Sequence, residues 1–144
     1  MHLRCLSEKI MPETEEIYGL RPLQRWIGGY SLAGLFALWA ALRSEMFTGA
    51  ASVSGSMWYE GFVPFVCNAE RLPGSVYLSV GDREKLGRNA AFRSIEDRTC
   101  EVEHILARRG VRTVFEINPG GHFDDPLGRM ERAVRWLAKD SEIR

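Results

Sequence analysis

At 144 residues, 45% of them hydrophobic, the chain is long enough to bury one core, and Lys plus Arg balance Asp plus Glu at 19 each. A formal charge of zero offers no broad basic field to nucleic acid or anionic lipid, so neither is expected as a partner. Cys5, Cys67 and Cys100 fit neither a disulfide framework nor zinc-ligand spacing, so no metal site is expected and a reducing, cytoplasmic setting is.

The chain reads as one domain over residues 1–144, with strands and helices alternating. The opening stretch, Leu3–Tyr18, has a helical pattern interrupted by Pro12, which should kink it or start a helix there. Its acidic residues Glu8, Glu13, Glu15 and Glu16 and its lack of a long apolar run argue against a signal peptide, and no segment reaches membrane-spanning length. Strand Arg25–Gly28 and the Ala- and Leu-rich helix Ala33–Arg43 follow, then strand Thr48–Val53 and a short helix near Trp58–Asn68. β-branched and aromatic content marks strand Ser75–Val80. The long helix from about Asn89 to Arg109 is stopped by Gly110, strand Thr113–Ile117 comes next, and helix Asp125–Lys139, with Pro126 suited to its first turn, ends the domain. Short connections between alternating elements predict an α/β fold: a mostly parallel sheet of four strands with helices on its faces and right-handed crossovers.

Chemistry concentrates on loops that follow strands. Gly29-Tyr30-Ser31-Leu32-Ala33 sets a serine between very small second neighbours at a strand-to-helix turn. That is the requirement of a nucleophile elbow, whose strained serine and closely packed strand and helix leave no room for larger side chains at 29 and 33. The Leu32 amide, at the start of the helix, is the candidate oxyanion donor. Asp82, just past strand Ser75–Val80, is the candidate orienting acid, with Glu84, Asp124 and Asp125 as competitors. Asn118-Pro119-Gly120-Gly121-His122 delivers an imidazole at the same edge, so His122 is the candidate base. The order Ser, Asp, His is that of α/β-hydrolases. His2 and His104 read as a terminal residue and a solvated helix position. Tyr30, Trp58 and Tyr59 are candidates to line a substrate pocket.

The runs Gly28-Gly29-Tyr30-Ser31-Leu32-Ala33-Gly34-Leu35, Ser54-Gly55-Ser56-Met57-Trp58-Tyr59, Ser79-Val80-Gly81-Asp82-Arg83-Glu84 and Gly120-Gly121-His122-Phe123 resemble esterases of the esterase D type, including enterochelin and siderophore esterases. The resemblance runs from about residue 10 to residue 138. It implies the C-terminal half of an α/β-hydrolase fold, with Ser31 as nucleophile, His122 as general base and Asp82 as acid, acting on a small-molecule ester without a cofactor. Members of that group carry further strands and an oxyanion loop upstream of the elbow, which this chain does not show.

One consequence follows for the strand ahead of Ser31. In the hydrolase topology it is central, so here it is expected at an exposed edge, where it invites a homo-oligomer, a covering N-terminal helix, or completion by something further. The expected function is a serine esterase working through an acyl-enzyme. The alternatives are an acyltransferase using the same residues, or a non-catalytic α/β module for binding or assembly.

Overall fold

The computed structural model describes residues 2–87 and 90–139. A helical N-terminal arm runs through α1 (His2–Cys5), a π-helical turn over Leu6–Ile10, and α2 (Met11–Ile17). Pro12 stands in the first turn of α2, one of the two outcomes expected of it, although the chain ahead of it is already helical. The Met11 N–H reaches back to Leu6 O, and this wider turn leads the chain into the proline, which lacks an N–H to donate and whose ring crowds the preceding turn.

Four strands, β1 (Trp26–Tyr30), β2 (Gly49–Val53), β3 (Ser75–Gly81) and β4 (Arg112–Asn118), form one parallel sheet in the order β1-β2-β3-β4. Between them run α3 (Leu32–Arg43), α4 (Phe62–Cys67) and α5 (Ile95–Arg108), and α6 (Pro126–Lys139) closes the chain. Two short 3₁₀ turns, Glu84–Leu86 and Ala90–Ser94, lead into α5; the expected helix start at Asn89 lies outside the described residues.

The alternating pleat sends successive residues to opposite faces, and the two faces are covered differently. On one face Ala50, Val76 and Leu78 meet Leu38 and Ala41 of α3, Val66 of α4, and Val102 and Leu106 of α5. Leu3, Leu6 and Met11 of the N-terminal arm lean on the same cluster. On the other face Ala51, Val53 and Tyr77 meet Ala133 and Leu137 of α6. Both faces of β3 are therefore closed, and all its residues are buried. β1 lies at one edge of the sheet, as expected, and pairs with β2. An Arg25–Glu15 ion pair at 2.6 Å ties the entry of β1 to α2.

Candidate active site

All four strands run the same way, so the loops after β1, β2, β3 and β4 gather at one edge of the sheet. Ser31 sits at the turn from β1 to α3 with φ 56° and ψ −121°, a strained backbone that non-glycine residues avoid unless their surroundings hold it. The Ser31 N–H donates to Val53 O at 2.9 Å, and Ser31 O accepts from Gly34, Leu35 and Ser56 N–H groups. A Cβ on Gly29 would stand 2.2 Å from Ala33 O, and one on Gly34 would meet Ser52 Oγ at 2.8 Å and Gly29 O at 2.9 Å. The small residues demanded by the close strand–helix approach are thus Gly29 and Gly34. Ala33, expected to be confined, has its side chain exposed, and it is its backbone that crowds Gly29.

His122, 7% exposed, is brought to Ser31 by the loop after β4. Its Nε2 lies 3.0 Å from Ser31 Oγ, and its Nδ1 lies 2.7 Å from Glu84 Oε2. An ionised carboxylate only accepts, so Nδ1 carries the ring proton and neutral Nε2 is left free to accept the Ser31 O–H. The Phe92 ring stacks on the imidazole at 4.4 Å between centroids, and Phe123 meets it edge-on at 5.0 Å. A hydroxyl so placed can pass its proton to the imidazole as it attacks a carbonyl.

The carboxylate on His122 is Glu84 and not Asp82. Asp82 is exposed, and its Oδ1 accepts from the Gly120 N–H at 2.9 Å, so it braces the histidine loop from outside. Two residues on, the 3₁₀ turn Glu84–Leu86 folds the chain back and carries the Glu84 side chain inward, where Glu84 is 1% exposed. Glu84 Oε1 accepts from Ser54 Oγ at 2.5 Å, from the Gly81 N–H at 2.5 Å and from Arg129 Nη2 at 3.2 Å. Burial pushes its carboxyl pKa up; the hydrogen bonds from His122, Ser54 and Gly81 outweigh that and hold it below the ordinary 4.5. Glu84 is therefore ionised at neutral pH.

The other expected site residues divide. Leu32 is the first residue of α3, so its N–H has no partner within the helix and lies next to Ser31. Tyr59 borders an open apolar groove of about 730 Å³ between α3 and the N-terminal arm, lined also by Leu3, Leu32, Ala33, Phe36 and Trp39, of which Leu32 and Ala33 directly follow Ser31 in the chain. Tyr30 does not: its O–H donates to the His122 carbonyl and accepts from Arg129 Nη1, committing it to the other face of the sheet. Trp58 lines a separate depression with Met57 and Arg98.

The family described as "Putative esterase" matches residues 2–124. The chain belongs to this esterase family. Its relative YbbA of Bacillus subtilis (strain 168), an uncharacterized protein, is 29% identical over 114 residues, 76% of this chain and 46% of its own. Among solved structures, the IroE-like serine hydrolase of Shewanella oneidensis superposes with a TM-score of 0.75 at 16% identity, over 96% of this chain and 47% of its own. The enterobactin esterase FES of Shigella flexneri gives 0.71 at 22% identity, over 88% and 35%, and a ferulic acid esterase gives 0.67 at 20%, over 93% and 57%. These likenesses establish the α/β-hydrolase fold. The chain spans about half or less of the length of YbbA, FES and the IroE-like hydrolase.

In this esterase family member, sequence reasoning passed over Ser54 and Arg129. Ser54 directly follows β2 with φ 48°, a left-handed turn that aims its hydroxyl at Glu84. Arg129 had a legible signal: Arg129, Ala133 and Leu137 are spaced four apart and form the buried stripe of α6.

Proposed function

We propose that the chain carries the nucleophile, base and acid of a carboxylic ester hydrolase, in Ser31, His122 and Glu84. The observation that supports this most is the unbroken line from Ser31 Oγ to His122 Nε2 at 3.0 Å and from His122 Nδ1 to Glu84 Oε2 at 2.7 Å. Ser31 Oγ attacks the ester carbonyl carbon while its proton passes to His122 Nε2. The negative oxygen of the tetrahedral intermediate is stabilised by the Leu32 N–H at the positive end of α3; a single such donor is worth about 10²–10³ in rate. The bond to the leaving alcohol then breaks as His122 returns the proton to the alcohol oxygen, leaving an acyl-Ser31. Water attacks the acyl carbon, giving its proton to His122, and the carboxylic acid departs as Ser31 regains its hydrogen. Glu84 stays ionised throughout, fixing the ring's tautomer and balancing its positive charge when it is protonated.

The apolar groove walled by Leu32 and Ala33, which directly follow Ser31 in the chain, suits an ester with a hydrophobic or aromatic part, and the names of FES and the ferulic acid esterase fit the same reading. The test is a fluorophosphonate probe on the full chain. Labelling is expected at Ser31, abolished by Ser31→Ala and slowed by His122→Asn. Labelling that persists in Ser31→Ala refutes the assignment.

A further inference from the structure

One fully buried charge takes no part in those steps: Arg129, 0% exposed, near the start of α6. A buried guanidinium is costly unless each branch finds a partner. Its Nη2 donates to Ser54 Oγ at 2.6 Å and to Glu84 Oε1 at 3.2 Å. Its Nη1 donates to the Tyr30 hydroxyl at 3.1 Å, and that hydroxyl donates onward to the main-chain carbonyl of His122. One planar fork thus reaches the acid through one branch and the backbone of the base through the other. Tyr30 also immediately precedes Ser31, so the second branch spans from the serine's strand to the histidine's loop.

The structure assigns Arg129 as a positioning residue of the esterase reaction, its two branches fixing Glu84 and the His122 loop relative to Ser31. The assignment rests on the roles proposed above for Ser31, His122 and Glu84. A lysine keeps the charge but presents a single point of contact, so it cannot hold both branches. The cation has a second effect, since it offsets the Glu84 anion that faces the imidazole. The other charges around the loop are exposed, where solvent screens them: Asp82, Arg83 and Asp124 pair at 3.6–3.9 Å, and Asp125 pairs with Arg132 of α6 at 3.5 Å.

The experiment compares wild type, Arg129→Lys, Arg129→Met and Tyr30→Phe in the full chain, each checked for folding by thermal melting. Arg129→Lys and Tyr30→Phe are expected to lower the maximal rate of fluorophosphonate labelling about 10-fold, in the range of outer partners of catalytic groups, without changing the probe concentration at half-saturation. In Arg129→Met the acidic limb of the pH–labelling profile should move to higher pH, and in Tyr30→Phe it should not. A readout independent of reaction is exchange of the His122 Nδ1–H with water by NMR, identified by its loss in His122→Asn; Arg129→Lys should speed that exchange. Should Arg129→Met not fold, Arg129→Lys and Tyr30→Phe decide alone. Unchanged labelling and unchanged exchange in both overturn the assignment, and an effect in Arg129→Lys without one in Tyr30→Phe overturns the Tyr30 branch. A wild-type chain that never labels, yet shows faster exchange in Arg129→Lys, refutes the proposed catalysis and upholds the positioning.

Discussion

Exchanging Glu84 for Gln separates the two candidate acids, because it keeps the side chain's volume while removing its charge and turning one accepting oxygen into a donor. The amide oxygen of the Glu84→Gln variant can still accept from Ser54, Gly81 and Arg129. Its amide nitrogen would then face His122 Nδ1, which is 2.7 Å from the carboxylate oxygen it replaces. Two donors cannot share that contact, so the ring switches tautomer and Nε2 can no longer take the Ser31 proton. The same acid-to-amide change in serine proteases costs about 10⁴ in kcat, and a loss of that order in fluorophosphonate labelling is expected. Folding suffers too, since Arg129 is left buried without an anion; breaking such a pair costs about 3–5 kcal/mol. For a domain of this size that corresponds to roughly 9–15 °C in Tm. The pH dependence has a definite sign. Glu84's pKa is held below 4.5, so its contribution is complete above pH 4.5 and is lost as pH falls through the lowered value; Glu84→Gln should flatten that acid limb. Asp82→Asn, at an exposed site where an amide oxygen can still accept from Gly120, should change labelling by no more than about twofold. The assay is the rate of modification of the Ser31 peptide by mass spectrometry, beside thermal melting. Asp82→Asn slower than Glu84→Gln, or Glu84→Gln within about tenfold of wild type, refutes the reasoning.

Gly29→Ala would place a Cβ 2.2 Å from Ala33 O and should cost about 3 kcal/mol or more, whereas Gly28→Ala meets only ordinary contacts at 3.5 Å and should be tolerated; equal melting temperatures would refute the elbow packing. Burial, aided by a 2.6 Å hydrogen bond to Glu116, pushes the Tyr77 phenol up to about 12. Its contribution to stability is therefore complete below pH 10.0 and lost as pH rises towards 12, and an ultraviolet titration of Tyr77→Phe should lack the latest-ionising component. The edge strand β1 should draw two copies together in solution through an interface of at least about 1,000 Å², which light scattering at micromolar concentration would show; a stable monomer refutes it.

The order of elements, the parallel sheet and the placing of Ser31 and His122 on loops after strands were legible in the sequence because each depends on local pattern. Strand content, a helix stop at Gly110 and small residues around a serine act over a few residues, and the structure has them close to where the pattern put them, with Gly34 and not Ala33 as the second confined position. Which carboxylate meets His122 was decided elsewhere. Asp82 and Glu84 both follow β3, and nothing in Gly81-Asp82-Arg83-Glu84 distinguishes them. The choice is made by a 3₁₀ turn and by three donors from distant parts of the chain: Ser54 after β2, Arg129 on α6, and His122 itself. Tyr30 stands away from the groove for the same reason, since the partners that hold its hydroxyl lie 92 and 99 residues along the chain. Sequence pattern determined which residues reach the edge of the sheet. Which of them touch was settled only by tertiary packing, because a buried carboxylate takes its place from whichever donors surround it.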